Sequence, residues 1–204
     1  MADIDDAEWE EINDKLDLSC SESFNNYDVT LAMQQNIKNL HFSNMTTLNC
    51  DGLYLTELPY IDTLIELDCS NNNLSIVPAY PNLRVLLCNN NSISQLPNYE
   101  LLECLHCNYN NLIAIKPYTY LNHLECMHNL LTELPNFYLI VILKCGNNKI
   151  ERMRTYPNLR VLACENNRFR KLPIYPKLEM LMFNNCNINF ADYGNLLYFT
   201  IKTF

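Results

Sequence analysis

Residues 64–82 read LIELDCSNNNLSIVPAYPN, and residues 83–101 read LRVLLCNNNSISQLPNYEL. Laid over each other they match at leucine, leucine, cysteine, asparagine, an aliphatic, another aliphatic, proline and tyrosine. The same nineteen-residue frame extends outward in both directions. Its opening residues are Met45, Leu64, Leu83, Leu102, Leu121, Ile140, Leu159 and Leu178, with no insertion between them. Numbering each unit from its opening residue, column four is leucine throughout, from Leu48 to Leu181. Column six holds Cys50, Cys69, Cys88, Cys107, Cys126, Cys145 and Cys164, and ends at Phe183. Column nine runs Leu53, Asn72, Asn91, Asn110, Asn129, Asn148, Asn167 and Cys186. Column eleven is aliphatic apart from Phe169, and column fourteen is apolar and often followed by proline, as at Pro78 and Pro97. Asparagine totals 31 of 204 residues, and this frame accounts for the bias as a structural repeat.

A short period dictates a stack. Columns four and six lie two apart, so on an extended segment they point to the same side, inward. One unit cannot cover its own apolar face, whereas neighbours stacked about 4.8 Å apart complete it. Each buried aliphatic contributes roughly 1.5–3 kcal/mol, enough to offset chain entropy when summed over many units. The column-nine amide, with both donor and acceptor, is suited to satisfying backbone groups in the turn after the strand. Nineteen residues with a recurrent proline leave an extended or polyproline return path and no room for a long helix. Column seventeen is Ile61, then Tyr80, Tyr99, Tyr118, Phe137, Tyr156 and Tyr175, which reads as a packing ladder on the convex side.

The unit LxxLxCxxNxLxxLPxYxx resembles the leucine-rich repeat, in the short LxxLP form found in effectors of pathogenic bacteria and in some large DNA viruses. Cysteine stands at column six where the family usually has a branched aliphatic. The resemblance covers residues 45–195. It implies a right-handed parallel β solenoid that binds protein partners and carries no catalysis of its own. Enzymes with such repeats in the bacterial family carry a separate ubiquitin-ligase domain after them, which is not expected here. An F-box ahead of the repeats is likewise not expected.

The expected organisation is an acidic amino-terminal segment, 1–25, then a degenerate repeat, 26–44. Eight full repeats occupy 45–195, and a capping strand occupies 196–204. Trp9, Ile12 and Leu16 at helical spacing predict a capping helix over 4–18, with acids early, as a helix start prefers. Leu196, Phe199 and Ile201 fit a last strand after an eighteen-residue step. An open stack needs such caps at both ends.

Composition narrows the function classes. Three glycines exclude Gly-rich phosphate loops, and no serine–histidine–acid, HExxH or P-loop motif occurs. The amino end lacks an apolar core, so no secretory signal and no membrane partner are expected. Seven of ten cysteines share one column as small apolar fillers, which predicts free thiols and a reducing compartment, cytosol or nucleus. The first 28 residues carry ten acids and one base, whereas residues 144–204 carry four acids and ten bases.

The strand side chains of columns three, five, seven and eight are expected to face water. There the candidate partner-binding residues are Val85, Leu87, Cys104, His106, Tyr109, His123, Glu125, Met127 and His128. The Cys104/His106/His123/Glu125 square offers the ligand types of a zinc site, and a histidine beside Cys104 that could lower its thiol pKa, although a flat strand face splays side chains that a tetrahedral metal needs converging. No metal and no cofactor are therefore expected. A second surface is the basic edge of Lys149, Arg152, Arg154, Arg168, Arg170 and Lys171. It suits an acidic partner, including the acidic end of a second copy in head-to-tail contact. An architectural, self-assembling role is the alternative to recognition. The net charge of −9 and the lack of interleaved aromatics argue against nucleic acid.

Overall fold

The computed structural model describes residues 45–183 and the backbone of Tyr198–Ile201. The expected capping helix and degenerate repeat lie outside the described residues. Nine short strands form one parallel sheet in sequence order: β1 Thr47–Asn49, β2 Glu66–Asp68, β3 Val85–Leu87, β4 Cys104–His106, β5 His123–Glu125, β6 Ile142–Lys144, β7 Val161–Ala163, β8 Met180–Phe183 and β9 Tyr198–Ile201. From β1 to β8 every pairing joins residues nineteen apart, such as Leu86 with Leu105. The step to β9 is eighteen, Met180 pairing with Tyr198. Among the described residues the return path contains no helical turn.

The core is one continuous file of leucines and cysteines. Leu67, Leu86, Leu105, Leu124, Leu143 and Leu162 are fully buried, and the column-six cysteines lie beside them. All seven ladder thiols are free. Where the sulfur finds an acceptor, it is the strand-end carbonyl of the next unit: Cys50 Sγ donates to Asp68 O at 3.3 Å, and Cys107 Sγ to Glu125 O at 3.3 Å. Burial pushes the Cys50 thiol up to about 12, and it raises Cys69, Cys88, Cys107, Cys126 and Cys145 as well.

The asparagine column performs the task its chemistry predicts. Asn110 Nδ2 donates to Cys107 O and Asn108 O in its own unit and to Cys88 O in the preceding one. Its Oδ1 accepts the N–H of Ile93, also in the preceding unit. Asn72, Asn91, Asn129, Asn148 and Asn167 repeat the scheme with the same sequence offsets. Each amide thus satisfies the buried turn of one unit with groups of two.

The convex side is closed by the column-seventeen rings. Tyr80, Tyr99, Tyr118 and Tyr156 are buried, and each donates its hydroxyl to the carbonyl of a proline twenty-one residues earlier. Tyr175 donates likewise to Arg154 O. Phe137 has no hydroxyl to donate, and the carbonyl twenty-one residues before it, that of Lys116, accepts the Tyr118 N–H at 2.9 Å.

Two outcomes follow from this packing. Asn110→Ala orphans the Ile93 N–H in a dry turn, at about 1–3 kcal/mol, and leaves the Cys88 carbonyl with only the longer bond from Asn91 Nδ2 at 3.3 Å. A urea titration is expected to show a loss of roughly 1–3 kcal/mol. A loss below about 0.5 kcal/mol would show that the amide is not the linchpin. Second, the ladder thiols are shielded and protonated at neutral pH. Mass-mapped alkylation should leave Cys69, Cys88, Cys107, Cys126 and Cys145 unmodified in the native protein and modify all of them in denaturant.

Candidate polar cluster and left-handed ring stack

The strand-face residues were expected to project into water, and the structure corrects this for most of them. Leu87, Cys104 and His123 are buried, and Val85, His106, Glu125 and Met127 are half-buried. Of the nine candidates, Tyr109 and His128 are exposed. The apolar end of the same face, Ile142, Val161 and Met180, forms a second small core with Val141 and Met182. In-register strands three residues long set like columns side by side, and on the concave side of a curved sheet large side chains shield each other.

In the middle of that face lies a polar cluster assembled by the register. Because β4, β5 and β6 pair without slippage, His106, Glu125 and Lys144 come into line. Glu125 Oε1 accepts from Lys144 Nζ at 2.7 Å and from His123 Nε2 at 3.2 Å, with His106 Nε2 at 4.0 Å. Its second oxygen accepts from Asn108 Nδ2 at 3.1 Å. The two imidazoles meet edge to face, their centroids 4.6 Å apart. Burial drives His106 down to about 4, so it is a neutral imidazole at physiological pH. Burial alone would raise the Glu125 carboxyl, but the facing histidines and the Lys144 ammonium hold it well below the usual range. Lys144 and Asn108 were not among the residues singled out from sequence. Lys144 had a signal, since it stands nineteen after Glu125. Asn108 lies in column seven, outside the strand, and had none.

Cys104 departs furthest from expectation. It is buried and disulfide-bonded, and its partner is none of the ladder thiols, which are free. Cys104 and Cys107 have C-x-x-C spacing, yet they are not a ligand pair. The pleat sends Cys104 to the concave face with His106, while Cys107 turns into the core and donates to Glu125 O.

Beyond the strands, column eight adopts the left-handed conformation in every described unit through the seventh. The residues are Gly52, Asn71, Asn90, Tyr109, His128, Asn147 and Asn166, all with φ between 51° and 69°. The turn needs it, because the column-eight N–H must reach the next unit's column-seven carbonyl, as Asn71 N reaches Asn89 O and Tyr109 N reaches Met127 O. Glycine and asparagine adopt this region at low cost, whereas other residues lose roughly 1–2 kcal/mol. The asparagines also form an outer ladder: Asn90 Nδ2 donates to Asn71 Oδ1 at 2.8 Å, and Asn166 Nδ2 to Asn147 Oδ1 at 2.9 Å. Tyr109 and His128 interrupt it. Their rings stack at 4.2 Å with 10° between planes, and Tyr109 is 52% exposed. Burial lowers His128, which keeps its ring neutral.

All six basic-edge residues are exposed. Arg154 is the most constrained, donating Nε to Leu134 O at 2.6 Å and lying 3.6 Å from Glu133. Arg152 and Arg154 line a shallow groove with Thr132, Glu133, Glu151 and Met153. Among the described residues no helix is long and apolar enough to cross a membrane.

No family model matches the sequence, and no curated protein matches it. Solved structures do. YopM from Yersinia enterocolitica is 31% identical with a TM-score of 0.58, over 60% of this chain and 29% of that one. The functional domain of InlJ from Listeria monocytogenes, described as including a cysteine ladder, is 20% identical with a TM-score of 0.60 over 86% of this chain. A Shigella effector leucine-rich-repeat domain is 22% identical with a TM-score of 0.51, over 89% of this chain and 76% of that one. The chain spans 29% and 50% of the lengths of the YopM and InlJ structures. With the nineteen-residue register, the buried cysteine and asparagine files and these shared folds together, the chain has the leucine-rich-repeat solenoid fold.

Proposed function

We propose that this solenoid is a non-catalytic protein-binding module, and that its contact surface is the rim of the concave face centred on Tyr109 and His128. The observation that carries this reading is the exposed ring pair held in left-handed backbone. Five other units fill the same position with glycine or asparagine, so two large rings are retained there against their conformational preference. Strain of this kind collects at functional positions. A flat, neutral, half-exposed pair of rings is the type of anchor on which interfaces concentrate their energy. A partner side chain with a delocalised plane, an aromatic ring or a guanidinium, suits it. Met127 precedes His128 and is joined to Glu125 through Asn108, while Val85, Leu87, Cys104, His106 and His123 lie on β3 to β5 of the same face.

The basic edge is assigned a lesser role, contact with an acidic surface of the partner or of a second copy. We also place the protein in a reducing compartment, because the ladder thiols are free. Cys104 is the exception to that argument.

The double variant Tyr109→Asn with His128→Asn separates binding from stability. Asparagine restores the outer ladder and relieves the backbone, so the variant is expected to melt no lower than the parent. Proteins captured by the parent from lysate and identified by mass spectrometry should be depleted in the variant at least tenfold, the size of one lost anchor worth about 1.4 kcal/mol. Equal capture by a folded variant would sink the assignment.

A further inference from the structure

Among the described residues, Cys104, His106 and His123 are the group whose potential ligand atoms converge. One sulfur and one nitrogen from each ring lie within 4.8 Å of one another. The objection that a strand face splays its side chains fails here. The register places Cys104 directly beside His123, and the rings of His106 and His123 pack edge to face at 4.6 Å. Tetrahedral ligands at 2.0–2.3 Å from zinc are about 3.3–3.8 Å apart, so closing the set asks for a shift of roughly 1 Å.

We propose that Cys104, His106 and His123 form a zinc site that opens when the Cys104 disulfide is reduced. The chemistry balances. A dithiol reductant attacks the disulfide, the S–S bond breaks, two protein thiols form, and the reductant leaves as its own cyclic disulfide. Zinc then displaces the Cys104 proton to solvent and binds the thiolate, with one nitrogen from each imidazole completing three protein ligands. The fourth position is left to an exogenous donor, the arrangement of an open zinc site.

The surroundings fit this assignment. Glu125 stands behind His123 at 3.2 Å, the position of the outer carboxylate that orients metal-bound histidines. Glu125 is itself held by Lys144 and Asn108, so it stays in place whether or not metal arrives. The His106 side chain is 15% exposed, which leaves a path for the ion. Lys144 is a nearby positive charge, but Glu125 offsets it at 2.7 Å, so the pair adds little net repulsion.

The test uses the full chain, freed of metal, in an oxidised form and in a form reduced with dithiothreitol and desalted anaerobically. Each is equilibrated with zinc chloride, desalted, and measured for metal content. Cobalt chloride in parallel reports ligand type by thiolate-to-cobalt charge-transfer absorption. The reduced parent is expected to retain a single zinc per chain, show the charge-transfer band and melt higher with zinc, while the oxidised parent retains none. Cys104→Ser and His106→Ala, each checked for a folded circular-dichroism spectrum, should lose the band and the retained metal. Cys104→Ser keeps every ladder thiol, so it distinguishes this site from adventitious binding by the cysteine file. Absence of stoichiometric zinc in the reduced parent overturns the proposal, as does full retention by Cys104→Ser. Equal retention by the oxidised parent overturns the redox gate.

Discussion

The structure depends on one bond set: the column-nine amide that ties the turn of one unit to its neighbour. A parallel stack of three-residue strands has few ladder hydrogen bonds per unit, and its turns are dry. Backbone groups buried there without partners would each cost on the order of 1–3 kcal/mol. Asn72 through Asn167 remove that cost by donating to carbonyls of their own unit and the unit before, and by accepting an N–H seventeen residues back. The amide fits one spacing of neighbouring turns, so the period is held at nineteen with no insertion from β1 to β8. Once the period is fixed, everything else is register: thiol beneath thiol, tyrosine hydroxyl on the carbonyl twenty-one residues earlier, and ion against ion across the strand face.

The repeat frame was legible in the sequence because the core is periodic. Leucine at column four and cysteine at column six announce burial by recurrence alone, and the structure hides both. The step of eighteen into β9 follows the same logic. Less of the candidate site could be read. Alternation along a strand says which side a residue faces, but not how crowded that side is, so Leu87 and His123 were expected in water and are buried. The disulfide at Cys104 leaves no trace in spacing, since cystine pairing depends on what meets the sulfur in space. The left-handed column was missed although its signal was present: Gly52, Asn71, Asn90, Asn147 and Asn166 share one position, and residues that tolerate positive φ were recurring there.

A repeat protein supplies its own control for each residue. Every column states what the fold alone requires at that position, and a departure from the column must be supported by something else. By that standard the departures are concentrated. Column eight breaks its asparagine rule at Tyr109 and His128. Column three becomes Cys104 and His123, and column five becomes His106 and Glu125. These six residues belong to two adjacent units, those built on β4 and β5. Elsewhere the face runs from Thr47 and Asn49 at β1 and the acids Glu66 and Asp68 at β2 to apolar residues at β3 and at β6 to β8, with Lys144 present as the counter-charge of Glu125.

The coincidence has a mechanical consequence. The polar cluster and the ring stack are linked through a short bonded path. Glu125 Oε2 holds Asn108 Nδ2, and Asn108 Oδ1 accepts the N–H of Met127, which precedes His128. Tyr109 in turn follows Asn108 and donates its N–H to Met127 O. A change in the position of Glu125 is therefore transmitted to both ring-bearing residues through Asn108, whose neutral amide can keep both bonds only by moving with the carboxylate. Buried polar networks of this kind cost stability when any member is lost and so fix a single arrangement of their neighbours. The bonded path through Asn108 joins the polar cluster and the ring pair of the two middle repeats into one connected arrangement, which the remaining described repeats hold in register.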